Sequence, residues 1–211
     1  MILTGASSGR GGGVAQTDLK DALRAAGIPV AYFNVTTFDD YLRMLKTCCD
    51  ITGDVEAYKD NGTEVAEDID AIKKKAEGKS AGSVAVLTTY SGGTRVQSSS
   101  TQTGTMLAEL GASNITDADK SLLSDYSLES LVKADPDFIF LLPMGDSSEA
   151  AQKALKDQTT ANPAWKELTA VKEGRVITLN PKLFLYKPND NWDDAYEELY
   201  EALYEMPREQ K

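Results

Sequence analysis

The feature that most constrains this chain is a long amphipathic segment over residues 54–78. Apolar side chains recur on one side of this segment at spacings of three, four and seven residues: Val55, Tyr58, Val65, Ile69, Ile72 and Ala76. This spacing predicts one continuous helix with a single apolar face. A helix of about 25 residues is about 37 Å long, which is close to the diameter of a small domain. Such a helix can pack along one sheet or connect two compact bodies, and the strand–helix alternation on both sides of it favours the second arrangement.

Both ends of this segment carry signals for helix boundaries. Asp54 is a preferred N-cap residue, the basic residues Lys73, Lys74 and Lys75 suit the last turn, and Gly78 is a typical stop. The preceding helical run is expected to break near Thr52 and Gly53. These boundaries divide the chain into a remainder of an N-terminal lobe (1–53), a connecting helix (54–78), a C-terminal lobe (79–188) and a closing helix (189–211).

Composition excludes several classes of function. The 211 residues include 41% hydrophobic and 26% charged residues, which is ordinary for one or two folded domains. A net charge of -11 argues against nucleic acid or an anionic membrane as a partner. The chain has no histidine, so histidine-based catalysis and histidine metal ligation are excluded. The adjacent Cys48 and Cys49 fit disulfide geometry poorly and are predicted to be buried structural thiols.

Short apolar runs alternate with amphipathic helices on both sides of the long segment. Before it, strands are predicted at residues 2–4 and 29–35, separated by a glycine-rich loop (5–13) and a helix (14–26). After it, strands are predicted at 83–89, 137–142 and 175–179, with a short one at 95–98, and helices at 103–110, 127–134, 146–156, 163–171 and 190–206. This alternation is typical of an α/β protein with parallel sheets.

The glycine-rich loop resembles the nucleotide-binding loop of short-chain dehydrogenases. Residues 4–11 read Thr-Gly-Ala-Ser-Ser-Gly-Arg-Gly, between a predicted strand and a predicted helix. Glycines in such a loop let backbone amides approach a pyrophosphate at a helix N-terminus. That family also needs a Tyr-x-x-x-Lys pair, and none of the nine tyrosines is followed by lysine four residues later. An NAD(P)-dependent dehydrogenase is therefore the weaker alternative.

A second resemblance covers nearly the whole chain. The segments that carry it are AAGIPVAYFNVTTFDDYLRML, then VAVLTTYSGGTRVQSSSTQTGTMLAELGASN, YSLESLVKADPDFIFLLPMG, NPAWKELTAVKEGRVITLN and LFLYKPNDNWDDAYEELYEAL. They contain Ser-Leu-Glu-x-Leu-x-x-x-Asp-Pro-Asp and Trp-x-x-Leu-x-Ala-Val-Lys-x-Gly-Arg-Val, in that order. Arranged around a long helix, they resemble the helical-backbone class of solute-binding proteins of ATP-driven (ABC) importers, which carry iron-siderophores, heme or cobalamin.

This resemblance implies an α/β fold of two Rossmann-like lobes joined by one long backbone helix, with the N-terminal lobe incomplete. Family members usually begin with a secretory or lipoprotein signal and a further stretch of that lobe, which this sequence does not contain. The chain is therefore expected to bind its ligand poorly by itself and to self-associate through the truncated lobe. The intact protein is expected at the extracellular face of the membrane or in the periplasm.

The resemblance also implies binding without catalysis. It implies no catalytic residue, no cofactor, no protein metal site and no nucleic acid. The expected partners are an iron-siderophore or similar metal chelate and an ABC permease in the membrane. A two-lobed sensor or adhesion module without transport is a further alternative, and genomic neighbours, not residues, would distinguish it.

The ligand of such proteins is expected at the carboxyl ends of the strands. The residues predicted to contact it are Ser7, Ser8, Arg10, Tyr90, Arg95, Met144, Tyr186 and Lys187. The arginines can pair with an anionic ligand, the tyrosines can stack on a ring or bind ferric iron, and the methionine can contact heme. Each residue also has a simpler interpretation as a solvated, packing or turn residue. The lack of histidine excludes histidine ligation of heme and favours a siderophore.

Overall fold

The computed structural model describes residues 2–5, 20–90, 93–124, 126–144 and 162–205. The chain forms two compact units, Met1–Gly62 and Thr63–Lys211. The first contains a two-stranded sheet and the second a five-stranded sheet. None of the helices among the described residues is both long enough and apolar enough to cross a membrane.

The sheet of the first unit is parallel. Strand β1 (Ile2–Gly5) pairs with β2 (Val30–Phe33), and helix α1 (Lys20–Ala25) lies between them in sequence. The chain leaves α1 at Gly27, which has a left-handed φ of 68°. This confirms the predicted β-α-β beginning. Within the described residues, β1 and β2 pair only with each other.

Helix α2 (Phe38–Thr52) begins at a capping box. The Thr37 hydroxyl accepts a hydrogen bond from the Asp40 amide at 3.2 Å, and the Asp40 carboxylate accepts from the amides of Thr36 at 2.9 Å and Thr37 at 3.0 Å. Burial alone raises the pKa of the Asp40 carboxyl, but the hydrogen bonds from these amides, the Thr37 side chain and the Arg43 charge together lower the pKa overall. The helix ends at Gly53, whose φ is 76°, so the predicted break at this position is confirmed.

The next helical stretch contains a turn that the sequence did not predict. Asp54 caps α3 (Val55–Tyr58) by accepting from the Ala57 amide at 3.0 Å. A π-helical segment (Lys59–Glu64) follows, and then α4 (Val65–Ala76). The backbone is therefore helical from Val55 to Ala76, but the hydrogen bonding widens in the middle.

Side chains satisfy the backbone of the π-helical segment. The Tyr41 hydroxyl donates to the Asn61 carbonyl at 2.9 Å, and the Asn61 amide donates to the Ala57 carbonyl at 3.0 Å. A Cβ on Gly62 would lie only 3.1 Å from the Leu45 side chain, so the glycine allows α2 to approach closely. Wider helical turns leave carbonyl groups that need other donors, and these two side chains supply them.

The two cysteines of α2 are free thiols in different surroundings. Cys49 is buried, whereas Cys48 is half-buried. Burial, and next the nearby carboxylate of Asp54, raise the pKa of the Cys49 thiol. A raised pKa keeps the thiol protonated and unreactive. The prediction of two buried thiols is therefore right for Cys49 and only partly right for Cys48.

The second unit is built on a mixed sheet. Its strands are β3 (Gly82–Tyr90), β4 (Gly93–Val96), β5 (Ala112–Asn114), β6 (Phe138–Pro143) and β7 (Val176–Thr178). The order is β4-β3-β6-β7, and β5 pairs with the beginning of β3. Only β4 is antiparallel to its neighbour. Because β3, β6 and β7 are parallel, their carboxyl ends lie at one edge of the sheet.

Short helices cover this sheet. They are α5 (Gln102–Glu109), α6 (Ile115–Ala118), α7 (Leu128–Ala134), α8 (Thr169–Lys172), α9 (Pro181–Phe184) and α10 (Trp192–Tyr200), with 3-10 turns at Lys120–Leu123 and Pro163–Glu167 and a π-helical end at Glu201–Glu205. Alternate residues of β3 and β6 form one core cluster with α7, and the Tyr196 hydroxyl of α10 donates to the Glu109 carboxylate at 2.6 Å. The helix predicted at 146–156 lies outside the described residues.

The Asp-Pro-Asp motif joins elements that are distant in sequence. Asp135 ends α7 with a φ of 39°, and its carboxylate accepts from the Thr169 amide at 2.8 Å and hydroxyl at 2.7 Å. Asp137 accepts from the Ser83 amide at 2.7 Å and hydroxyl at 2.8 Å. The first aspartate therefore ties α7 to the beginning of α8, and the second ties β6 to the beginning of β3.

Replacement of Asp137 should weaken this connection. Asp137→Ala is expected to lower the free energy of unfolding by about 1–3 kcal/mol, because the partly buried Ser83 donors lose their acceptor. Urea unfolding followed by circular dichroism measures the change. Asp70→Ala removes an exposed carboxylate from α4 and is the matched control, with an expected change below about 0.5 kcal/mol. Equal losses in the two variants would contradict this account of the motif.

Candidate ligand-binding site

The carboxyl edge of the second sheet brings three of the predicted residues together. Tyr90 is the last residue of β3, and Arg95 lies on β4 opposite Thr88. Met144 follows β6, and its amide donates to the Thr89 carbonyl at 2.7 Å, which places it directly beside the end of β3. The parallel pairing of β3 with β6 therefore produces the arrangement that the sequence predicted.

A stacked cation marks this edge. The guanidinium carbon of Arg95 lies 5.2 Å from the centroid of the Tyr90 ring. Arg95 is exposed and Tyr90 is half-buried. Within the described residues Arg95 forms no ion pair, although the chain carries a net charge of -11. Stacking of this kind stabilises the guanidinium by about 0.5–1 kcal/mol at an exposed site and leaves its N–H groups available to an anion.

Tyr186 and Lys187 lie beyond β7, immediately after α9. The Tyr186 amide donates to the Pro181 carbonyl at 2.9 Å, but its side chain is 58% exposed. The Lys187 ammonium donates to the side-chain carbonyl of Gln102 at 3.3 Å. The segment that carries these two predicted residues is therefore attached to the amino end of α5.

Sequence analysis missed the polar residues at the amino end of α5. The side-chain amide nitrogen of Gln97 donates to the Thr88 hydroxyl at 2.6 Å, and the Thr101 hydroxyl donates to the side-chain oxygen of Gln97 at 3.0 Å. Thr101 also caps α5 by accepting from the Gly104 amide at 3.2 Å. The only signal in the sequence was the run of serine, threonine and glutamine before α5, which composition alone identifies merely as polar.

The other predicted residues are not placed. Ser7, Ser8 and Arg10 lie outside the described residues. A surface depression of about 440 Å³ in the first unit is lined by Arg24, Gly27, Ile28, Pro29, Val30 and Tyr32, none of which was predicted to bind a ligand. Among the described residues, no group of three or more histidine, cysteine, aspartate or glutamate side chains could hold a metal ion.

A known protein family matches most of this chain. The sequence profile of the periplasmic binding protein family matches residues 6–183. The chain belongs to this family.

Two curated relatives also match. The high-affinity heme uptake system protein IsdE of Staphylococcus aureus is 27% identical over 163 residues, which are 75% of this chain and 55% of that protein. The Fe(3+)-citrate-binding protein YfmC of Bacillus subtilis is 34% identical over 82 residues, which are 39% of this chain and 24% of that protein. The chain thus spans about half the length of the first relative and about a quarter of the second.

Solved structures show the same fold. The periplasmic heme-binding protein RhuT from Roseiflexus sp. RS-1 superposes with a TM-score of 0.73 at 19% identity, covering 97% of this chain and 75% of that chain. A substrate-binding protein of an ABC transporter from Listeria monocytogenes superposes with a TM-score of 0.71 at 22% identity, covering 90% and 73%. These likenesses confirm the α/β class, and the family match confirms the resemblance found in the sequence.

The family assignment also decides between the two interpretations of the glycine-rich loop. The matched family consists of binding proteins, so the chain is not an enzyme. None of the relatives named here supports the dehydrogenase alternative.

A glycine is required where α5 meets the polar run. A Cβ on Gly104 would overlap the Ser98 carbonyl oxygen and lie 2.8 Å from the Ser99 Cα. Gly104→Ala should therefore lower the free energy of unfolding by about 1–3 kcal/mol, although alanine has the higher helix propensity. Urea unfolding measures this change.

The exposed position Ala108 of the same helix provides the control for that prediction. Ala108→Gly should cost about 1 kcal/mol through helix propensity alone. Glycine is thus expected to be favoured at position 104 and disfavoured at position 108. A Gly104→Ala variant more stable than the parent would show that the backbone crossing is not as close as described.

Proposed function

We propose that this chain is the substrate-binding component of an ATP-driven importer, which captures an iron-siderophore or a related metal chelate and delivers it to a membrane permease. The observation that carries this proposal is the exposed Arg95 guanidinium stacked on Tyr90 at the carboxyl edge of the sheet. The periplasmic binding protein family and two relatives named for heme and ferric citrate support chelated iron as the ligand class.

The exposed groups suit a chelate that is both anionic and partly apolar. Arg95 can form two parallel hydrogen bonds with a carboxylate or another planar anion. Met144 is 44% exposed and Tyr186 is 58% exposed, so both offer apolar surface to a ligand. We assign Lys187 to the same site as a second cationic group. Ser7, Ser8 and Arg10 stay proposed ligand contacts.

Among iron chelates we favour a siderophore or a carboxylate chelate over heme. This chain contains no histidine, so within it a heme could be ligated only by other side chains, such as those of tyrosine, methionine or cysteine. Ferric carboxylate and siderophore complexes bring their own iron ligands and need only charge and shape complementarity from the protein. We place the intact protein at the extracellular face of the membrane or in the periplasm, as a secreted lipoprotein.

Removal of the stacked cation tests this proposal. In the intact protein, Arg95→Ala should weaken binding of ferric citrate by about 1.5–3 kcal/mol, or about 10- to 150-fold, because the anion loses its charged donor. Calorimetric titration measures the affinity, with hemin and a ferric hydroxamate as further probes. Unchanged affinity in both Arg95→Ala and Tyr186→Phe would remove these residues from the site.

The chain offers a matched control for this titration. The Arg175 guanidinium also lies 5.2 Å from an aromatic ring, that of Phe138, but at the opposite edge of the sheet, before β7. Arg175→Ala removes the same charge and a similar stacking contact. It should leave the affinity unchanged, and an equal loss in both variants would show that only net charge matters.

Self-association through the first unit is a further proposal. Strands β1 and β2 pair only with each other among the described residues, and Ile28 before β2 is 38% exposed. Unpaired strand edges tend to pair with another chain. Light scattering should therefore give a mass above 22.8 kDa at micromolar concentration. A single species of monomer mass would contradict this proposal.

A further inference from the structure

We propose that Gln102 is a positioning residue for the ligand site. Its side-chain amide holds the segment 183–187 and thereby sets the place of Tyr186 and Lys187. This inference rests on the proposed function for its consequence in ligand binding, but the contact that it describes is a property of the second unit alone.

The buried amide of Gln102 is fully used. The residue is only 7% exposed although it is polar. Its nitrogen donates to the Leu183 carbonyl at 2.9 Å, and its oxygen accepts from the Lys187 ammonium at 3.3 Å. These partners lie 81 and 85 residues away in sequence. One side chain therefore bonds both ends of the segment that carries Tyr186.

The Gln102 amide has the two groups that these bonds need. A backbone carbonyl only accepts and a lysine ammonium only donates, so the bridging group needs one donor and one acceptor. The same requirement fixes which end of the Gln102 amide faces each partner. A glutamate would lose the donor to Leu183, and a leucine would lose both bonds while occupying a similar volume.

The amino end of α5 also connects to the strands that carry the other candidate residues. Thr101, next to Gln102, bonds Gln97, and Gln97 bonds Thr88, two residues before Tyr90. On one side α5 is thus attached to the strands of Tyr90 and Arg95, and on the other to the segment 183–187. The hydrogen bonds of Gln102 complete this connection, so they fix how the two sets of ligand groups are spaced. A site that is spaced correctly before binding loses less free energy in ordering itself around a ligand.

The segment begins in a single helical turn. Helix α9 spans four residues and is anchored by Phe184, which is 4% exposed. After it, the backbone amides of Leu185 and Tyr186 each donate to the Pro181 carbonyl at 2.9 Å. The side chains of Tyr186 and Lys187 are exposed. Single-turn helices open easily unless tertiary contacts hold them. Loss of the Gln102 bonds should therefore loosen this turn first.

The first experiment measures the turn directly in the whole chain. In Gln102→Leu, the amides of Leu185 and Tyr186 should exchange with deuterium about 10-fold faster than in the parent protein. Thr103→Val is the control, because Thr103 is the next residue of α5, is 1% exposed, and its hydroxyl has no hydrogen-bond partner within the described residues. It should leave the exchange unchanged. Unchanged exchange in Gln102→Leu as well would overturn the proposal.

The second experiment measures the consequence for binding in the intact protein, with ferric citrate and hemin as probes. Gln102→Leu should weaken the probe that binds by about 10-fold. Lys187→Met should weaken it in the parent but add little in the Gln102→Leu background, because both substitutions break the contact between these two residues. The fold losses of affinity caused by Arg95→Ala and by Gln102→Leu should multiply in full in the double variant. A general loss of stability would not produce this difference between Lys187 and Arg95.

The two experiments separate the inference from the proposed function. If the intact parent protein binds neither probe, the proposed function fails in this form, and the exchange rates alone decide whether Gln102 holds the segment. If a probe binds and Gln102→Leu loosens the turn without changing affinity, the role of Gln102 in ligand binding is overturned. Full additivity of Gln102→Leu with Lys187→Met would overturn it as well.

Discussion

The parallel pairing of β3 with β6 is the constraint on which the second unit depends. The two strands pair from Val84 with Phe138 to Thr89 with Pro143, and their central residues are almost fully buried. Strands covered on both faces have to be apolar throughout, which explains the long apolar runs in the sequence. Both strands also end at the same edge of the sheet. The polar residues that follow them are therefore close in space although they are distant in sequence.

The candidate site uses this edge in two ways. Strand ends place Tyr90, Arg95 and Met144, so these residues are positioned by the rigid part of the sheet. Tyr186 and Lys187 lie on a short segment outside the sheet and depend on side-chain hydrogen bonds instead. The buried polar run before α5 connects the two groups. The binding of a ligand that contacts both groups would therefore depend on the geometry of α5 as well as on that of the strands.

How much was predictable from sequence follows from how local each signal is. Strands β3 and β6 were predicted because their apolar runs are long, and α7 because Ser127 supplies a cap. Strand β5 was missed because Ala-Ser-Asn has no pattern of its own and is a strand only through pairing with β3. The π-helical turn depends on Tyr41, and the role of Gln102 depends on partners more than eighty residues away. Composition cannot show such contacts.

The central claim is that this edge of the sheet binds the ligand, and chemical-shift mapping by NMR tests it most directly. Addition of gallium(III) citrate in place of ferric citrate, or of gallium protoporphyrin, to the intact protein avoids paramagnetic broadening. The account predicts that the perturbed amides cluster at Tyr90, Arg95, Met144 and Tyr186. Saturable perturbations confined to the opposite edge, around Gly82, Asp137 and Arg175, would contradict it.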